Sequence, residues 1–349
     1  MANHLLDALA QEFERFAKDE CHNSSALYER LSLVIAKDPP LLALAAHARN
    51  GERVPNLFLA AVHFLLLQGV QHPVSAFYRS ISGTTGWTED PYPKFRSFCL
   101  DHADEIRRLI AVRLVQTNEV RRCTCLLPAF VHVSRASGGR PLSLLDIGAS
   151  AGLNLLWDHY GYKYDRQQQC GSLNSPVQIA CDLKGTLLPH IPKDFPEVSF
   201  RAGVDLNPID VRDPDAALWL RALIWPEHEE RAELLRRAIE IAQQDPPRLV
   251  AGDVADVLPD ILPMVPKNTA LCIVRIFTPL SQKSRERLSS LISAEATQRD
   301  LYLLNARPHK ADTSRLDLVS FVNGIKTETV LAYFQNHGEW LEWVCPPML

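Results

Sequence analysis

The chain has 349 residues, 46% of them hydrophobic and 22% charged, which excludes collagen-like, low-complexity and wholly disordered classes and predicts two domains or one enlarged one. The formal net charge is −4 and no Lys/Arg-rich run occurs, so a nucleic-acid partner is not expected. Prolines outnumber glycines, 24 to 15, which favours enforced helix starts and turns over flexible linkers.

Residues 1–137 predict an all-helical domain. Leu5, Leu6, Leu9, Phe13 and Phe16 recur at helical spacing, and Ile106, Leu109, Ile110 and Leu114 do so after Asp101, a candidate N-cap. Leu41–Ala48 and Leu57–Leu67 are apolar nearly all round, the pattern of central core helices. The second run is interrupted by His63 and falls short of the roughly 20 residues a bilayer requires. Asp7, Glu12 and Glu14 with no apolar stretch do not make a signal peptide, so the expectation is a cytoplasmic protein with no membrane association. The eight cysteines are scattered; Cys123 and Cys125 lack a matching pair, and unpaired buried thiols are expected, with no metal.

The pattern changes at Ser137-Gly138-Gly139-Arg140-Pro141. From there to residue 349, short apolar runs alternate with longer helical ones, the grammar of a mostly parallel α/β sheet with helices on both faces. Strands are expected at Leu142–Ile147, Phe200–Val204, Leu249–Gly252, Ala270–Phe277 and Leu301–Asn305, with Phe321–Phe334 and Glu339–Val344 closing the sheet. A helix follows the first strand, at Leu153–His159. Between the second and third strands a helix with Pro226 in its first turn carries Leu234, Leu235, Ala238, Ile239 and Ala242 on one face. Residues 160–196 break the alternation and suggest a hairpin-bearing insertion.

The most informative string is Leu144 to Asn154, LLDIGASAGLN. A buried strand delivers Asp146 at its end, then Gly148, Ser150 and Gly152 turn the chain toward a helix, with Asn154 just beyond. The two glycines remove Cβ atoms where a side chain would meet an adenosyl ligand, while Ser150 occupies the usual middle-glycine position. The next convincing strand ends in Asp205, followed by Leu206 and Asn207, where a carboxylate can accept two ribose hydroxyls. The third ends in Asp253-Val254, an acceptor for an adenine amine. In each case Asp also suits a turn or helix cap. Asp165 and Asp182, in the insertion, rival Asp205 as the second-strand acid.

The ordered trio Asp146, Asp205 and Asp253 resembles the S-adenosylmethionine-dependent methyltransferases, whose Rossmann-like fold would place Asp146 at the cationic methionine end of the cofactor. A nicotinamide site wants a further phosphate-facing glycine and an acid roughly 20 residues on. The chain also resembles the prokaryotic domain of unknown function 2332 family. That likeness rests on Gln116 to Val120, Leu145 to Leu155, Gly203 to Asp210, Trp219 to Ala222, Trp225-Pro226-Glu227 and Gly252-Asp253, spread from about Phe95 onward. It implies a methyltransferase-like fold and no established activity.

Catalytic residues are less legible. Val274 to Leu280 lacks the Asn/Asp-Pro-Pro-aromatic stretch of many amino-directed methyltransferases, but Arg275 offers a carboxylate or phosphate contact. Asn118 and Glu119, on the segment leading toward the first strand at the junction of helical region and sheet, are candidates to face a transferred methyl, or else members of a structural network. Trp219 and Trp225 are expected as core anchors. The leading expectation is an S-adenosylmethionine-dependent methyltransferase of a small or medium polar substrate, capped by the helical domain. The alternatives are a non-catalytic adenosyl-binding protein and a nicotinamide-dependent oxidoreductase.

Overall fold

In a computed structural model, describing residues 2–84, 86–165, 168–310 and 312–347, the chain forms two compact units. The first comprises the residues up to Thr117 and a returning segment, Arg212–Glu233; the second comprises the rest. The division thus falls between Thr117 and Asn118, ahead of the glycine-rich break at Gly138. Among the described residues no helix is long and apolar enough to cross a membrane.

Helices Ala2–Arg15, Ala26–Ile35, Pro39–Ala45, Val54–Leu67, Tyr92–Asp101, Ala103–Val112 and Pro214–Ala222 surround the core of the first unit. Leu57 to Leu66 is buried without interruption, which is why that helix is apolar on every face. Ser25 and Asp38 cap the second and third helices, accepting Tyr28 N at 3.1 Å and Leu41 N at 3.2 Å. Asp101 does not cap Ala103–Val112: it accepts Ser97 Oγ, and His102 takes the capping position.

The returning segment belongs here because of its tryptophans. Trp219 is 3% exposed and donates its indole N–H to Leu114 O at 2.9 Å, while Trp225 packs on Phe16 and Tyr28. Both are core anchors, as expected. Pro226 precedes the next helix instead of lying in its first turn, since that helix runs Glu229–Gln244. Glu227 instead accepts Ser25 Oγ and Leu27 N, at 2.8 and 3.0 Å.

The second unit is a mixed α/β structure built on a large, mostly parallel sheet. Its strands are β1 (Leu142–Ile147), β2 (Gly161–Tyr164), β3 (Gln168–Gly171), β4 (Gln178–Lys184), β5 (Val198–Asp205), β6 (Arg248–Ala251), β7 (Ala270–Ile276), β8 (Leu301–Lys310), β9 (Thr313–Val322), β10 (Ile325–Gln335) and β11 (Trp340–Trp343). Among the described residues they lie in the order β3-β2-β4-β11-β10-β9-β8-β7-β1-β5-β6. The block β6-β5-β1-β7-β8 is parallel throughout, and β8 to β11 form an antiparallel meander.

Two expectations about strands need correction. Phe321–Phe334 is not one closing strand: it spans the end of β9, a turn at Asn323-Gly324 and most of β10. Asn323 and Gly324 have φ of 50° and 76°, the geometry of a tight hairpin turn. The 160–196 segment does contain a hairpin, β2–β3, but its β4 also pairs with β11 and so extends the sheet.

One sheet face is covered by helices Val254–Ile261 and Gln282–Glu295, whose Leu258, Ile261, Leu288 and Ile292 pack on Leu145, Ile147, Ala202, Val204, Leu271 and Ile273. Helix Cys123–Ala136, which contributes nothing to that cluster, packs against β4, β7 and β10. Because side chains alternate along a strand, Asp146 and Asp205 point away from the first face.

Candidate functional site

From β1 the chain adds β5 and then β6 on one side, and returns to add β7 and β8 on the other. In an open parallel sheet such a reversal leaves a crevice outside the carboxyl ends of the strands, the usual place for a ligand. Asp146 and Asp205 come to this edge on adjacent strands, Asp146 being in register with Gly203 two residues before Asp205. Asp165 and Asp182 do not: β2 and β4 are separated from β1 by β11 to β7 in the sheet order. Asp205 is therefore the acid on the strand beside β1.

The turn after β1 is built by the chain itself. Gly148 N and Ala149 N donate to Val204 O, Ser150 N to Asp205 Oδ2 at 2.9 Å, Gly152 N to Ala149 O and Leu153 N to Asn118 Oδ1 at 3.0 Å. A Cβ on Gly148 would lie 2.0 Å from Thr278 Oγ1, and one on Gly152 2.6 Å from Pro247 Cγ. At both glycines a side chain would collide with a neighbouring side chain, so the backbone there needs the absence of Cβ for packing. Thr278 is fixed in turn by donating to Ile147 O at 2.8 Å. Ser150 sits at φ 55°, a conformation that costs a residue with a side chain, and among the described residues its buried Oγ has no hydrogen-bond partner. The helix that follows is a short 3₁₀ segment, Leu153–His159, broken at Leu156 and held to β5 by the two-pronged Arg201–Asp158 ion pair.

The three acids have different surroundings. Asp205 Oδ1 accepts Asn207 N at 2.8 Å, so backbone N–H groups orient both its oxygens. Asp253 caps Val254–Ile261 through Ala255 N at 2.9 Å and accepts Ser284 Oγ, two bonds that hold its carboxyl below the ordinary range. Asp146 is 8% exposed and accepts no hydrogen bond among the described residues. Burial first, and then the charge of Asp205, push its carboxyl up to about 7.

The remaining candidates divide. Asn154 is nearly buried, its Oδ1 facing Cys123 Sγ at 3.4 Å. Leu206 is 67% exposed beside Asp205, whereas the Val254 side chain is buried in the core. Asn118 ties directly into the glycine turn, but Glu119 turns to Arg121 N and to His337 Nδ1, 3.4 Å away, near the β10–β11 connection. Arg275 lies near the end of β7 and donates Nε–H to Asn305 Oδ1 at 3.2 Å. Residues that sequence reasoning passed over are Ser284, Thr278 and Asn305. Only Ser284 had a local signal, the Ser-x-x-Ser start of a helix, where Ser281 caps Ser284 N.

These features define a mixed α/β protein that brings Asp146 and Asp205 together where its parallel strands change direction of addition. The chain belongs to a family of uncharacterised proteins conserved in bacteria, DUF2332, whose model matches residues 10–343. The match therefore extends well into the first unit, beyond the stretch from Phe95 that carried the resemblance. No curated protein and no solved structure matches the chain.

Proposed function

We propose that the second unit binds S-adenosylmethionine along the ends of β1, β5 and β6 and is a methyltransferase for a small or medium polar acceptor. The observation that carries this reading is Asp146, a buried carboxyl that accepts no hydrogen bond among the described residues and lies next to a second carboxylate. Such a group relieves the cost by holding a proton, as its raised value shows, unless a cationic or donor-rich ligand compensates its charge. An ammonium group meets that requirement. The unpartnered Ser150 Oγ in the adjoining turn is a second polar group suited to a ligand.

Under this reading each residue takes a part of the cofactor. Asp146 would hold the cationic amino-acid end, Asp205 would accept ribose hydroxyls with its remaining lone pairs, and exposed Leu206 would offer apolar surface to the purine. Asp253, already capping a helix, retains acceptor capacity for an exocyclic amine. When bound, S-adenosylmethionine supplies a reactive methyl on a sulfonium, leaving the protein to position the acceptor and exclude water.

Strand order supports the same reading. β6-β5-β1-β7-β8 follows the 3-2-1-4-5 part of the doubly wound pattern, and the next strand, β9, is antiparallel, unlike the parallel sixth strand of dinucleotide-binding sheets. A nicotinamide cofactor also wants free N–H groups and a helix start facing its pyrophosphate. Here Val204 O, Asp205, Ala149 O and Asn118 take most of the turn's N–H groups, and the helix is a broken 3₁₀ segment. One observation favours a non-catalytic adenosyl-binding protein instead: after β7 the amide acceptor is absent and the Thr278 hydroxyl donates to Ile147 O.

Calorimetric titration with S-adenosylhomocysteine tests the reading. Wild-type protein is expected to bind it, with affinity rising between pH 6 and 8 as Asp146 ionises, and Asp146→Asn and Asp205→Ala are each expected to weaken binding at least about tenfold, or 1.4 kcal/mol. Failure of the wild type to bind at about millimolar ligand would overturn both the transferase and the binding-protein readings. Methyl release with pooled metabolites then separates the two.

A further inference from the structure

Beyond β7 the strand-end edge changes sign. Arg275 is half-buried, and among the described residues no carboxylate pairs with it; its hydrogen bond is to the neutral Asn305. Burial foremost, then the nearby charges of Arg307 and Arg285, pull the proton affinity of its guanidinium down.

Strand register explains the crowding. Arg275 pairs with Asn305 on β8, Asn305 with Asp317 on β9, and Arg307 with Arg315. Asp317, 7% exposed, is the acid available to this row, and β8 and β9 already share it: Arg307 Nε lies 3.5 Å and Arg315 Nε 2.8 Å from its oxygens. Among the described residues Arg275 is left without a paired carboxylate.

The helix Gln282–Glu295 adds to the imbalance. Its first turn contains no acid of its own and carries Lys283 and Arg285; Asp253 accepts Ser284 Oγ at this helix start and feels the charge of Lys283, whereas the charge of Arg285 acts on Arg275. Arg275 on β7 thus lies near the charges of Arg307 on β8, which shares Asp317, and of Arg285 on this helix.

We propose that Arg275, with Arg285 and Arg307, forms an anion subsite that takes a phosphate or carboxylate group of the acceptor substrate. The planar guanidinium fork of Arg275 keeps its terminal N–H groups for such a group after Nε has gone to Asn305. The edge is then divided by charge: Asp146 on β1, Asp205 on β5 and Asp253 after β6 would receive the cationic cofactor, and Arg275 on β7, Arg307 on β8 and Arg285 on the following helix an anionic acceptor. The assignment of the anion to an acceptor rests on the methyltransferase reading; the anion subsite itself does not.

The test is titration of the full chain with inorganic phosphate and, separately, acetate at constant ionic strength, with and without S-adenosylhomocysteine. Wild-type protein is expected to bind at least one of the two, and Arg275→Gln and the exposed Arg285→Gln are each expected to weaken that binding at least about fivefold. Phosphate alone points to phosphorylated acceptors, and acetate as well to carboxylates. Absence of binding, or equal binding by wild type and Arg285→Gln, overturns the subsite even if Arg275→Gln does not fold. Arginine-dependent anion binding without S-adenosylhomocysteine binding keeps the subsite and removes the cofactor reading.

Discussion

Asp38 of the first unit and Asp146 of the second are both 8% exposed, yet their carboxyls move in opposite directions. Burial acts to raise Asp38, but Tyr92 Oη, Arg96 Nε and Leu41 N all donate to it and together hold it below the usual carboxylate range. Asp146, which lies deeper, receives no such donor and is pushed up to about 7. Burial pushes both carboxyls up, the deeper Asp146 further, and only at Asp38 do donors reverse it. In the first unit the acid fastens helices together. At the strand ends no such donor reaches Asp146 among the described residues.

That contrast can be broken most directly at Asp146. Its raised value means that the folded state holds a proton the unfolded chain has released, so stability falls as pH rises from about 4 to about 7 and levels off above. Between pH 5 and 8 the wild type is expected to lose on the order of 3 kcal/mol more than Asp146→Asn, measured by urea unfolding at each pH. Parallel pH profiles for the two proteins would mean that the carboxylate has a partner after all.

Asp38→Ala sharpens the other side. It removes a helix cap and two side-chain donors' acceptor, one of them the partly exposed Arg96, and is expected to cost about 2–3 kcal/mol in thermal unfolding at pH 7. A loss under about 0.5 kcal/mol would place Asp38 among ordinary surface acids. Asp253→Ala, which removes a cap and the Ser284 contact, should cost about 1 kcal/mol by the same measurement. If Asp253 instead contributes nothing to stability, its bonds to Ala255 and Ser284 do not explain its presence, and ligand contact would be the stronger account.

Legibility followed the range of the interaction that sets each feature. β1 was readable to its end residues, because six consecutive buried positions bounded by Pro141 and Gly148 leave little choice. The Asn323-Gly324 turn was equally legible in principle, as a two-residue hairpin signal between alternating strands, but the apolar run from Phe321 obscured it. The returning segment Arg212–Glu233 was not: its amphipathic pattern is local, whereas its place in the first unit is fixed by Trp219 and Glu227 finding partners about a hundred to two hundred residues away.

At the candidate site, the amino-acid order by itself determined which acids follow which buried strands, since hydrophobic runs and their terminal polar residues are local facts. Only tertiary structure decided that β5 lies beside β1, making Asp205 and not Asp165 or Asp182 the neighbour of Asp146. It alone decided that a Cβ on Gly148 or Gly152 would meet Thr278 or Pro247, and that among the described residues Arg275 has the charges of Arg307 and Arg285 near it and no paired carboxylate. The physical reason is that pairing, crowding and charge compensation act through space between residues far apart in the chain, and hydrophobic periodicity carries no record of who those partners are.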